Sequence, residues 1–205
     1  MAYPTVDAPY GLKPINLIGG QVFAGSTRLM EIASGYNTNI FYGDLVKRVI
    51  GGTIEKDTGT TSLTPCGVFL GVQFTNSSTG QIQQQQFYPA AQAIKSGTEI
   101  LAVIADDPDT LFKVAVCSSG VVMATVTQNA IGTNMSILNT NGSTTTGNSS
   151  VSVASSSPAT TAGFPIRVID VVPDTATSAT TFSEVIVKIN FGIHQYNNAT
   201  GLAVA

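Results

Sequence analysis

The sequence predicts an all-β protein, an antiparallel β-sandwich or barrel carrying an extended N-terminal arm. Strand-length apolar runs with period-two alternation recur along the chain, separated by Gly, Pro and Asp. No stretch carries the i, i+3, i+4, i+7 apolar pattern of an amphipathic helix. A third observation concerns the surface. The 53 residues from Val114 to Ile166 contain no Asp, Glu, Lys or Arg, although about a quarter of residues in an ordinary chain are charged.

The elements follow in order. Residues 1–20 hold Pro4, Pro9 and Pro14 among apolar residues. Proline fixes φ, lacks an N–H and pushes its predecessor towards extended backbone. The segment therefore predicts an extended arm that lies on its own domain or on a neighbour, and we expect the neighbour. Tyr3, Pro4, Val6, Pro9, Tyr10, Leu12 and Ile15 are its candidate contact residues.

A β domain is expected over 21–196, and a short tail over 197–205. Ile40–Ile50 is rich in strand formers and broken by a turn at Gly43-Asp44, with a second turn at Gly51-Gly52. In CGVFLGVQF, alternation puts Val68, Leu70, Val72 and Phe74 on one face, against Phe69, Gly71 and Gln73. Five glutamines surround Ile82 between Gln81 and Gln86. They read as an edge strand with amides outward, making Gln83, Gln84, Gln85, Gln86 and Phe87 candidate subunit contacts.

ILAVIA, TLFKVAV and VVMATVT (within 100–127) read as antiparallel strands joined by tight connections at Asp106–Asp109 and Ser118–Gly120. Residues 139–163 are mostly Ser, Thr, Asn, Gly and Ala, and read as an ordered loop or as strands with hydroxyl faces. The final strand places Val185, Val187, Ile189 and Phe191 on one face against Glu184, Ile186, Lys188 and Asn190. The pattern yields about ten strands and no internal repeat.

Composition narrows the function. Net charge is −3, and of the nine basic residues only Lys47 and Arg48 are adjacent. Phosphate neutralisation needs clustered Lys and Arg, so no nucleic-acid partner is expected. No apolar run reaches the ~18 residues of a membrane helix, and no membrane partner is expected. MAYPTVDAPYGLKP lacks a basic region followed by an apolar core, which predicts a protein made in the cytoplasm and not exported.

Catalytic chemistry finds little to build on. His194 is the single histidine, and no G-x-S-x-G elbow accompanies it. One His and two distant cysteines do not make a zinc site. Cys66 and Cys117 read as buried small hydrophobes, with a disulfide left open by their spacing. Asp106, Asp107 and Asp109 are the only carboxylate cluster. A solvated turn shaped by Pro108 is the first reading, and a calcium loop the second. The N-x-S/T triplets at Asn76, Asn134, Asn141, Asn148 and Asn198 are what such a composition produces by chance. No enzyme, cofactor or metal is expected.

Six segments carry a resemblance: APYGLKPINLIGG, FYGDLVKRVIGGTIEK, TPCGVFLGVQFTN, VIADDPDTLFKVAV, PIRVIDVVPD and VIVKINFGIHQY. Together they span about half the chain and resemble small β-rich virion proteins of marine podovirus-type tailed bacteriophages. The resemblance implies a capsid decoration, or cement, protein on the outer surface of the head. Its partners would be the major capsid protein and other copies of itself, as a homo-trimer. The implied motifs are structural, with no catalytic residue to carry over. The alternatives are another head component (major capsid subunit or connector) and a glycan-binding fibre tip. A capsid shell subunit would need a long helix and an α/β body that this sequence lacks, and no Trp is present for a sugar platform.

Overall fold

The computed structural model describes residues 8–175 and 182–190. It is all-β, with two sheets and two single-turn 3₁₀ segments at Gln128–Ala130 and Pro173–Thr175. Tyr3, Pro4, Val6, Phe191, His194 and the 197–205 tail lie outside the described residues.

The first sheet is a nearly closed barrel. It contains β2 (Arg28–Ile32), β3 (Leu45–Arg48), β4 (Ile54–Lys56), β5 (Gly67–Thr75), β6 (Ile82–Gln85) and β7 (Ile100–Ala105). Their order is β3-β4-β2-β7-β5-β6, and an added β3–β5 pairing closes the ring. The seam between β2 and β4 is the thinnest point, a single parallel pair at Ile32–Ile54. Met30, Ile32, Val46, Ile54, Phe69, Val72, Phe74, Ile100, Ala102 and Ile104 fill the barrel.

The second sheet is built on β8 (Thr110–Ser119). It also holds β1 (Lys13–Leu17), β9 (Val122–Met123), β10 (Asn134–Met135), β11 (Ile137–Leu138), β12 (Ser152–Ala154), β13 (Ile166–Val171) and β14 (Glu184–Ile189). β8 is long enough to take different neighbours along its length. Its first half pairs with β1 and β14, its second half with β9 and, in parallel, β12. Val114, Val116, Val153, Val168, Val185 and Val187 form a second core with Leu45, Val68 and Ala105 from the barrel. The two sheets thus share one packed interface.

Three expectations change here. The turn at Asp106–Asp109 does not join a hairpin. β7 belongs to the barrel and β8 to the second sheet, so this turn carries the chain between them. On β5 the simple alternation fails. A register shift between Phe69 and Gly71 reverses the side-chain parity, so Phe69, Val72 and Phe74 enter the barrel while Val68 and Leu70 meet the second core. The arm, finally, is not detached from the domain over its second half. β1 pairs antiparallel with β8, and Leu12 is 1% exposed within the second core. The turns at Gly43-Asp44 and Gly51-Gly52, the hairpin at Ser118–Gly120 and the facing of Val185, Val187 and Ile189 are as predicted.

Candidate interaction surfaces

Of the arm residues within the described part, Pro9 and Leu12 are buried in their own fold. Neither can supply contact area to a neighbour. Tyr10 is half-buried and its hydroxyl donates to the Glu184 carboxylate. Burial and that carboxylate hold the phenol well above its ordinary pKa. Lys13 Nζ lies 4.4 Å from the Tyr10 ring centroid and Lys113 Nζ lies 5.8 Å from it. Lys113 also pairs with Glu184 at 3.4 Å. Lys13 and Lys113 are direct cross-strand partners, and the Tyr10 ring and Glu184 offset their repulsion. Ile15 is half-buried on β1, and beyond it Ile18 and Val22 are exposed.

The glutamine segment is an edge strand, since β6 ends its sheet and pairs only with β5. The amides do not all face outward. Register places Gln83 opposite Phe74 and Gln85 opposite Val72, on the barrel-facing side. Gln84 stands outward opposite Gln73 and donates to its side-chain oxygen at 3.2 Å. Ile82, 67% exposed, shares that outward side. Gln86 donates to Asn148 Oδ1 at 2.8 Å, and Phe87 stacks on Phe41 with centroids 5.6 Å apart. Phe87 is thus partly spent on its own chain.

The charge-free tract forms a flank of the second sheet. Its buried half is β8, β10, β11 and β12. Its exposed half runs from the β8–β9 turn towards β13 and presents Val121, Val122 and Ile131 at 51%, 58% and 41% exposure. Around them stand Ser118, Ser119, Thr125, Thr127, Gln128 and Asn129, all exposed. These residues offer apolar area and neutral hydrogen-bonding groups, and none of them is an ion that must be desolvated.

A buried polar network, missed at the sequence level, ties the barrel to this flank. Asp44 Oδ2 accepts the Phe41 N–H at 2.9 Å and pairs with Lys56 Nζ at 2.9 Å. The two side chains are 0% and 4% exposed. Asp44 Oδ1 accepts the Ser149 hydroxyl at 2.6 Å, and Ser149 Oγ accepts the Val151 N–H at 2.9 Å. Asn139 Nδ2 donates to the Asp57 carbonyl at 2.9 Å. The Ser/Thr/Asn-rich segment is therefore a suture between the two sheets. The G-D dipeptide signalled a turn, but its partners stand 12 and 105 positions away from Asp44.

Among the described residues, the acidic turn is engaged and the two cysteines are enclosed. Asp106 pairs with Arg28 at 3.1 Å and Asp109 with Lys188 at 2.9 Å. Asp107 accepts the Asp109 N–H at 2.8 Å. Among the described residues, no group of three His, Cys, Asp or Glu could hold a metal ion. Cys66 and Cys117 are free buried thiols. Burial pushes the Cys66 thiol up to about 12 and raises that of Cys117. Two open hollows, of about 240 and 420 Å³, have Glu99 and no ionisable residue in their linings, respectively.

No family model matches the chain, and no curated protein or solved structure is significantly similar to it.

Proposed function

We propose that the chain is a structural virion protein that decorates the outer surface of a tailed-phage head and cements adjacent major capsid proteins. The observation that carries this reading is the charge-free flank with Val121, Val122 and Ile131 exposed on it. Exposed branched residues in an uncharged stretch of chain suit burial against another protein, because the stretch itself brings no unpaired ion that must be stripped of water. The segment resemblance to podovirus-type virion proteins supports the same reading. Copies on a shell act together, so a modest contact energy per copy is multiplied by avidity. The partners in this reading are the major capsid protein and other copies of the chain in a symmetric homo-oligomer.

Gold-labelled antibody against the chain, applied to intact virions, is expected to mark the whole outer surface of the head. Label confined to the tail, or absent from intact particles, would overturn the proposal. A Val121→Asp, Val122→Asp double variant keeps the fold, because both side chains stand at an exposed hairpin. It is expected to lose about tenfold or more in affinity for undecorated heads in a pelleting assay.

A further inference from the structure

We propose that the free edge of β6 is a two-fold self-pairing site, at which strand Ile82–Gln85 of one molecule adds antiparallel to the same strand of a second copy. The inference deepens the reading above by naming one contact between copies. Its test concerns self-association alone, so its failure would leave labelling of the head untouched.

The hydrogen-bond parity of the strand sets the edge. The Asn76 N–H donates to the Gln81 carbonyl at 2.9 Å, which makes 76 and 81 a hydrogen-bonded pair. Pairs alternate along an antiparallel ladder, so Phe74–Gln83 and Val72–Gln85 are also hydrogen-bonded pairs. The backbone groups of Ile82 and Gln84 consequently point away from β5. Among the described residues no strand pairs with β6 on that side.

Exposed edges are usually blunted by Lys, Pro or a bulge. β6 has none of these, and no charged residue occurs from Asn76 to Ile94. That absence selects the occupant. A two-fold axis sets a strand beside its own copy, so any charge near the axis would face a like charge. β6 can thus be its own partner with no like-charge pair between the two strands; Glu99, which lines a hollow with Ile82, comes from outside them.

An axis through Gln83 pairs Ile82 with Gln84 of the second copy, and Gln84 with Ile82 of the second copy. Both are hydrogen-bonded pairs, so this register uses every outward backbone group of the strand. It also covers Ile82, the most exposed apolar side chain of the barrel. A register centred further on would require Gln86, where the strand has already ended in a bend and the side chain is held by Asn148. Same-edge pairing joins copies two at a time. It is therefore distinct from any three-fold contact and would link neighbouring oligomers on a shell.

Residue-resolved hydrogen exchange on the unmodified full chain tests the pairing. From micromolar to millimolar protein, the Ile82 and Gln84 amides are expected to slow by about tenfold or more, while Gln83 and Gln85 stay unchanged. Exchange at Ile82 and Gln84 that is independent of concentration overturns self-pairing. The register has its own test. Gln83→Cys would face its own copy as a non-hydrogen-bonded pair, with Cα atoms about 4.5 Å apart and within disulfide reach. Mild oxidation is expected to give a covalent dimer, and adding Gln84→Pro, which removes an outward N–H, to abolish it. Absence of the covalent dimer, or its persistence with Gln84→Pro, overturns the register.

Discussion

Asp44 gathers three partners on one buried carboxylate. Its two oxygens take the Phe41 N–H, the Ser149 hydroxyl and the Lys56 ammonium, all out of water. Asp44→Ala strands a buried lysine and is expected to cost about 3–5 kcal/mol in urea unfolding. Replacing Asp44 and Lys56 together by leucine should cost less than Asp44→Ala, because no ion is then left unpaired, but still leaves the Phe41 N–H and the Ser149 hydroxyl without their acceptor. Cys66 makes a second, pH-dependent contribution. Its thiol is held neutral by burial, with a folded pKa of about 12, against an unfolded value of about 8.5. The folded state therefore keeps a proton that the unfolded state releases. This contribution is complete below about pH 8.5 and is lost as pH rises towards the folded value. Denaturation midpoints measured from pH 8 to 10 should fall, and Cys66→Ala should make that fall shallower.

The junction between the sheets depends on how closely two chain segments cross. The Leu12 N–H donates to the Gly43 carbonyl at 3.0 Å, and the Gly11 N–H to the Val151 carbonyl at 3.2 Å. Gly43 has φ +94°, and a Cβ there would stand 2.9 Å from the Leu12 nitrogen. Gly43→Ala thus combines left-handed strain with a backbone clash, and should destabilise by about 2–4 kcal/mol in the same unfolding assay. β5 works at the same junction. Its bulge lets one strand feed the barrel with Phe69 and Phe74 and the second core with Val68 and Leu70. Alternation on this strand was legible as β but not as to facing, because an extra residue in a strand leaves no mark that a period-two count can detect.

Across the molecule, the described part of the N-terminal segment is core and sheet more than free arm. Leu12 and β1 belong to the second core and its sheet, so removal of residues 1–20 exposes β8 and opens a cavity. That truncation is expected to lower thermal stability sharply, by several degrees or more. A melting temperature unchanged by that truncation would show that Leu12 and β1 carry no weight in the second core. Charge divides the surface. Charged pairs flank the inter-sheet turn, as in Arg28–Asp106 and Lys188–Asp109, and a further group stands on the second sheet at Lys13, Lys113 and Glu184. The flank from Val121 to Ile131 carries none.

Local pattern alone made the β class, the turns at Gly43 and Gly51, the edge character of the glutamine strand and the uncharged tract readable, because each rests on neighbours within a few positions. It could not reveal that Asp106–Asp109 passes between sheets, that Leu12 is core, or that Ser149 bonds Asp44. Those depend on pairings separated by 105 positions and more, fixed only when two half-formed sheets bury one face against each other. Burial then turns a hydroxyl, a carboxylate and an ammonium that water would satisfy separately into partners that must find one another.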